Sequence, residues 1–343
     1  MTKAKIFVGL LWISALLLAS WTLTQLPLAS IITSLNNISA LEYLVWSSAN
    51  LAIIFIFTFR WWLLSKAIEA TTSFWQLLII RQAGQSISFI TPGPQFGGEP
   101  LQLYWLWKHT KIALHKALLA LGFDRFFELW VNFAVLIGSV LLVMMLSENS
   151  AVDWLKIVSI LCGILLLLSL AGMTLLKKPQ WISTRLSKIT HRWQSHRYLA
   201  SIKTQWNLLT DDLIYCVKDK KRWLGVAFLL SILGWFGMFI ELEILLWMAD
   251  IKVDLSGFLL FFIALRLALL LPLPGGIGTI EAAVFWVFQY LNLGMESALV
   301  IIALIRLRDI AMLSFGLITA IFLQITQKEP DDPITSKSTQ IAN

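Results

Sequence analysis

In a chain of 343 residues, 58% hydrophobic and 14% charged with a mean hydropathy of +0.77, there is far more apolar surface than a water-soluble domain can bury. Lipid must be the solvent for most of it. The formal net charge of +7 does not point to nucleic acid, because the cations gather in one loop that carries no recognition motif. Two cysteines, Cys162 in a predicted span and Cys216 in that loop, are poor disulfide partners, and no metal, cofactor or nucleotide-binding loop is expected.

An apolar run over residues 6–26 follows Lys3 and Lys5. It is too long for a signal peptide and lacks a small-residue cleavage site, so a retained helix is expected. A second full span is expected over residues 41–59. The next apolar stretch, 74–107, contains Pro92, Gly93, Gly98 and Glu99. Proline removes a backbone donor and glycine relaxes the chain, so this stretch should break at Pro-Gly and form a re-entrant hairpin that enters and leaves by one face. A pair of thin full spans is the alternative reading.

Full spans follow at 123–146 and 154–176, separated by a base-poor segment that faces outward. Residues 177–222 carry eleven Lys and Arg against Asp211, Asp212 and Asp219, which places this loop in the cytoplasm. Trp181, Trp193, Tyr198, Trp206 and Trp223 are interleaved with the charges, the pattern of a helix lying on anionic headgroups; an ordinary solvated hairpin competes with it. A span at 223–248 leads to a second broken stretch, 255–291, with Pro274, Gly275, Gly276, Gly278 and Glu281, and a last span occupies 298–325. Both termini are then expected in the cytoplasm, in the inner membrane of a bacterium. The fold class is an all-α polytopic membrane protein with about six full spans and two re-entrant hairpins.

The two broken stretches share an order: an upstream arginine (Arg81, Arg266), Pro-Gly, a glutamate, and a downstream arginine. Glu99 precedes Arg125 by 26 positions and Glu281 precedes Arg306 by 25. This predicts an internal duplication with repeat cores 74–147 and 255–326. Three full spans separate the copies, so the hairpins should dip from opposite faces as an inverted repeat, their tips near the midplane where such transporters bind substrate. The whole of 1–326 reads as one transmembrane domain, with 327–343 a polar cytoplasmic tail.

Charges within a span are costly, about 2.5 to 3.5 kcal/mol on insertion scales, so they are the candidate site. Glu99, Arg125, Glu281 and Arg306 come first, with Asp124 and Glu128 on one helical face together with Asn132. An arginine fork can hold a lipid phosphate and a carboxylate can take an ammonium group; structural ion pairs Arg125–Glu99 and Arg306–Glu281 are the competing reading. Asp309 is placed to pair with Arg306, Arg81 and Arg266 to snorkel, and Glu241 and Glu243 rank below the repeat residues. The four histidines are given no chemistry, and tryptophans such as Trp61, Trp62, Trp105 and Trp107 read as an interfacial belt.

With Pro92-Gly93, Gly98-Glu99, Asp124-Arg125, Pro274-Gly275-Gly276-Ile277-Gly278, Glu281 and Arg306 in view, the chain resembles the flippase-like transmembrane family of lysylphosphatidylglycerol synthases. The second block matches the pattern closely. The first departs from it, with Gln102 where the family usually has a basic residue. The resemblance implies a stand-alone module, without the soluble aminoacyltransferase domain, that moves a phospholipid or lipid-linked headgroup across the bilayer, with membrane lipids as partners and anionic headgroups at 177–222. An intramembrane lipid-headgroup transferase is the alternative, although Asp211-Asp212 lacks the spacing of a metal site, and an accessory subunit of envelope biosynthesis is a further one.

Overall fold

The computed structural model describes residues 33, 35–91, 97–110, 112–146, 152–177, 197–271 and 273–325. All regular structure among them is helical. In chain order the helices are α1 (Ala40–Ala67), α2 (Phe74–Ile90), α3 (Glu99–Thr110), α4 (Leu114–Leu146), α5 (Trp154–Lys177), α6 (Arg197–Asp219), α7 (Lys221–Met248), α8 (Leu255–Leu269), α9 (Thr279–Tyr290) and α10 (Met295–Ile325). The span expected at 6–26 lies outside the described residues.

Four helices are long and apolar enough to cross a membrane: α1, α4, α5 through Thr174, and α7. Large apolar side chains on them face outward, among them Leu155, Leu166 and Leu167 of α5 and Leu229 and Phe236 of α7. In water that surface would be costly; against acyl chains it is not. Helix α10 has 31 residues and an outward apolar row at Ile310, Ile318, Phe322 and Ile325, but carries Arg306, Arg308 and Asp309 near its middle.

The two broken stretches differ from these rods. Helices α2 and α3 have 17 and 12 residues, and α8 and α9 have 15 and 12. At about 1.5 Å per residue none exceeds roughly 26 Å, short of a hydrocarbon layer of about 30 Å. Between α8 and α9 the chain turns through a short 3-10 segment, Pro274–Gly276. Gly275, Gly276 and Gly278 there have φ of 57°, 61° and 84°, the left-handed region that a Cβ penalises. The first break, Pro92 and Gly93 included, lies outside the described residues.

Local chemistry sets where the rods begin. Ser39 and Glu42 form a reciprocal capping box at the start of α1, and Ser73 and Gln76 form another at α2. Asp254 caps α8 through the Gly257 N–H at 3.0 Å.

Packing joins helices far apart in sequence. The most extensive helix contacts are α1 with α7 and α2 with α10, and α8 lies along α4. Small residues let these pairs close. A Cβ on Gly234 would lie 2.6 Å from the Phe57 ring, and one on Gly316 would lie 2.5 Å from the Gln82 carbonyl oxygen. Gly98 packs so tightly on Gly84 that neither α2 nor α3 tolerates a side chain there.

Two apolar clusters result. One, with Trp46, Phe57, Leu136, Trp235, Phe261 and Ile305, joins α1, α4, α7, α8, α9 and α10. The other, with Trp61, Leu77, Trp105, Leu106 and Cys216, joins the far end of α1 to α2, α3, α4 and α6. Trp61 and Trp105 are thus core residues, not members of an interfacial belt, because their helices turn those faces inward. Trp75 and Trp107 do face outward.

Helix α6 belongs to the basic segment and docks on the protein. The Tyr215 hydroxyl donates to Glu69 at 3.0 Å, His115 meets Asp212 at 3.4 Å, and the Cys216 thiol is buried against the Ala67 carbonyl. Residues 178–196, with Trp181 and Trp193, lie outside the described residues.

Candidate functional site

Helix α4 presents Asp124, Arg125 and Glu128 to the interior, and α1, α2 and α3 each bring a partner. Arg60 donates through Nε to Asp124 Oδ1 at 2.8 Å and through Nη2 to Glu128 Oε2 at 3.0 Å. Arg81 donates to Asp124 Oδ2 at 2.9 Å and to Glu128 Oε2 at 3.3 Å. Ser231 of α7 accepts from Arg60 at 3.3 Å, and the Phe57 ring lies under both guanidinium groups. Taking such charges out of water is tolerable only when nearly every donor is used, as here.

Arg125 stands at the edge of this cluster. Its Nη1 donates to Glu128 Oε2 at 3.3 Å, its Nη2 to Gln102 Oε1 at 3.2 Å, and its Nε approaches Glu99 at 3.4 Å. That Nε and both Glu99 oxygens are buried without a hydrogen-bond partner. Gln102, where the sequence departs from the family pattern, therefore fills the place beside Arg125 with a neutral acceptor.

The second copy is built on α9 and α10. Arg306 donates through Nε to Glu281 Oε1 at 2.7 Å, through Nη1 to the Gly275 carbonyl at 2.9 Å and to Asp309 at 3.0 Å, and through Nη2 to the Gly276 carbonyl at 3.2 Å. Glu281 Oε2 accepts from the Gly278 N–H at 2.8 Å. One acid and one base thus satisfy backbone groups that the broken helix frees at depth, the condition for such a break in lipid. Beyond them Arg308 pairs with Glu241 at 3.0 Å and Asp309 at 3.1 Å, and Trp46 Nε1 donates to Glu241 at 3.4 Å.

The two arrangements agree in their outline. Each has an arginine paired with an acid three residues on, Arg125–Glu128 at 3.3 Å and Arg306–Asp309 at 3.0 Å. Each sets that arginine against the glutamate that follows its break, Glu99 at 3.4 Å and Glu281 at 2.6 Å. They differ in register: Glu281 is the third residue of its helix and caps it, whereas Glu99 is the first residue of α3. The second break touches the end of α2, since a Cβ on Gly275 would stand 2.6 Å from the Phe89 ring.

Exposure sorts the candidates. Arg60, Arg81 and Asp124 have side chains 0%, 2% and 1% exposed, while Arg125 and Glu99 are 18% exposed and Glu128 is 25%. In the second copy Arg306 is 22% exposed and Glu281 20%. Asp124 is therefore an inner anchor, and the rim consists of Glu99, Arg125, Glu128, Glu281 and Arg306.

Some groups stand differently from the sequence expectation. Arg60, one residue past the expected end of the span at 41–59, is the most enclosed cation beside the first break; α1 continues to Ala67 and carries it inside. Arg81 does not snorkel, because two carboxylates meet it in place. Glu241 is buried and paired with Arg308, a residue the sequence reading does not single out, while Glu243 two positions on is exposed. Apolar sequence continues past Arg60 through Trp61, Trp62, Leu63 and Leu64, a pattern that suits an interface as well as an interior. Asn132 makes no side-chain hydrogen bond among the described residues, so the face expected to run Asp124, Glu128, Asn132 ends at Glu128.

A comparison with curated proteins found no match, and neither did one with solved structures. The family model described as the lysylphosphatidylglycerol synthase TM region matches residues 5–316. That match takes in both broken stretches and every charged residue described above, and the chain, an integral membrane protein, belongs to this family.

Proposed function

We propose that the protein is a lipid translocase, which moves a phospholipid or lipid-linked headgroup between leaflets through a midplane site lined by the two ionic rims. The observation that carries this reading is the pairing itself: two part-exposed acid–base clusters, each beside a broken helix, with Gly275 of the second break against Phe89 at the end of α2. Inverted-repeat transporters place their substrate between such elements. The family takes its name from a phospholipid synthase, which supports a lipid as the cargo.

In this reading α2–α3 and α8–α9 are re-entrant hairpins dipping from opposite faces. Arg60, Arg81 and Asp124 hold the frame. Arg125 and Arg306 offer guanidinium groups to a phosphate, and Glu99, whose oxygens lack a hydrogen-bond partner, offers a carboxylate to a cationic headgroup. Rocking of one repeat against the other exposes the rims to each leaflet in turn. The chain transports without transforming its cargo, its termini and basic segment 177–222 face the cytoplasm of a bacterial inner membrane, and that segment collects anionic headgroups.

Reconstitution tests it. In proteoliposomes carrying phospholipids labelled on the headgroup, wild-type protein should carry label out of reach of an external quencher. Arg125→Ala with Glu99→Gln should slow this at least tenfold while both proteins elute as single folded species. Equal rates for the variant, the wild type and protein-free vesicles overturn the proposal.

A further inference from the structure

Of the six arginines buried or half-buried among the described helices, five have a carboxylate within 3.4 Å: Arg60, Arg81, Arg125, Arg306 and Arg308. Arg266 has none among the described residues. Its guanidinium lies over the Trp235 ring at 5.0 Å and the Phe262 ring at 5.3 Å, and its one hydrogen bond goes to the thioether of Met238 at 2.9 Å, a weak acceptor. The aromatic wall is fixed in turn, with Phe262 stacked on Phe239 at 4.2 Å and edge-on to Trp235 at 6.3 Å. Stacking lowers the cost of a charge in this place without neutralising it.

Snorkelling does not explain the position. Arg266 is twelve residues beyond Asp254, roughly 18 Å of helix from the capped start of α8, and the other end of α8 leads to the tip that touches α2. Nor can the undescribed first apolar run supply a counter-charge, since residues 1–32 contain no Asp or Glu. Arg266 is half-buried, so part of it reaches open space, and it lies within electrostatic range of Glu128 in one copy and of Glu241 and Arg308 in the other. The Trp235 Nε1 beside it is a buried donor without an acceptor. Its counterpart Arg81 is saturated by Asp124 and Glu128, so the two copies have divided their labour at this position.

We propose that Arg266, held between Trp235 and Phe262, is an anion site that takes a phosphate group between the two ionic networks. The translocase reading supplies only the expectation that this phosphate belongs to a lipid. A planar fork with free donors fits two phosphate oxygens, and the bound anion gives Arg266 the direct partner that protein carboxylates give the other five arginines.

Thermal unfolding of the delipidated full chain in detergent, at high salt to screen the exposed basic segment, tests this. Phosphatidic acid should raise the midpoint of the wild type by several degrees, and diacylglycerol with the same acyl chains should not. In Arg266→Gln the phosphatidic acid concentration for half the shift should rise tenfold or more, with Arg266→Lys between. Without lipid, Arg266→Gln should unfold at the wild-type temperature or above, because it removes an unneutralised charge; a structural role would lower it. A wild-type shift from inorganic phosphate alone would keep the anion site and assign it to a soluble anion. Equal shifts in the wild type and Arg266→Gln, or equal shifts from phosphatidic acid and diacylglycerol, overturn the proposal. No leaflet exists in detergent, so a failure of the translocation assay leaves this result standing, and the converse holds as well.

Discussion

Asp124 accepts from two arginines at once, one on each carboxylate oxygen, and it has no solvent to fall back on. Removing one donor leaves part of a buried acid uncompensated, a change that costs about 3 to 5 kcal/mol in comparable pairs. Arg60→Met should therefore lower the unfolding midpoint in detergent sharply, whereas Arg308→Met, at a half-exposed rim, should lower it less. Gly275 is constrained differently, by backbone and by neighbour. With φ at 57° and a Cβ position 2.6 Å from the Phe89 ring, Gly275→Ala should destabilise by about 1 to 3 kcal/mol. Combining it with Phe89→Leu should recover part of that loss, and a double-mutant cycle would show the coupling. The Pro-Gly-Gly-x-Gly block could be read from sequence because these glycines are there for φ. Arg60 could not, because a cation next to aromatic residues looks the same at an interface as it does against two buried carboxylates.

At the scale of elements, α6 shows how an amphipathic helix within the basic segment can be fastened to a membrane protein. Burial and the nearby Asp212 push the Cys216 thiol up to about 11. Alkylation of Cys216 should accordingly be slow at pH 8, rise steeply only towards pH 11, and become fast once the protein is unfolded. Near it, the Tyr215 hydroxyl and Lys220 hold Glu69 below its ordinary value of 4.5, and Tyr215 holds Lys220 above its ordinary 10.5. The acid's contribution is present above its ordinary value and lost as pH falls through the lowered one; the lysine's is lost as pH rises through the raised one. Amide exchange in the last turns of α6 should thus be most protected between those limits, and Glu69→Gln should flatten the acid side and weaken the basic side as well, because Glu69 also helps to hold Lys220 up. Sequence announced the charge of this segment through its Lys and Arg. It did not announce the docking, because Cys216 and Tyr215 form a face only once the helix is wound.

For the whole molecule, re-entry makes a prediction about sidedness. In a background with Cys162 and Cys216 replaced, Thr71→Cys and Lys108→Cys flank the first hairpin, and Lys252→Cys and Glu296→Cys flank the second, all at exposed positions. An impermeant maleimide should label the first pair from one face of the membrane and the second pair from the other. Labelling of the two members of a pair from opposite faces would replace hairpins with full crossings. The recurrence of Pro-Gly, Glu and Arg at matching intervals was legible along the chain. The partners that complete each copy were not, since Arg60, Ser231, Trp46 and Glu241 reach their networks from helices far away in sequence.

The twelve ionisable groups of those networks carry a consequence for energetics across the membrane. Six guanidinium groups, on Arg60, Arg81, Arg125, Arg266, Arg306 and Arg308, stand against six carboxylates, on Glu99, Asp124, Glu128, Glu241, Glu281 and Asp309. A transmembrane voltage does work of about 2.3 kcal/mol on each elementary charge it moves through 100 mV. A frame whose inner charges cancel gives that voltage nothing to pull on when it tilts, so polarising the vesicle should bias only what the cargo itself carries.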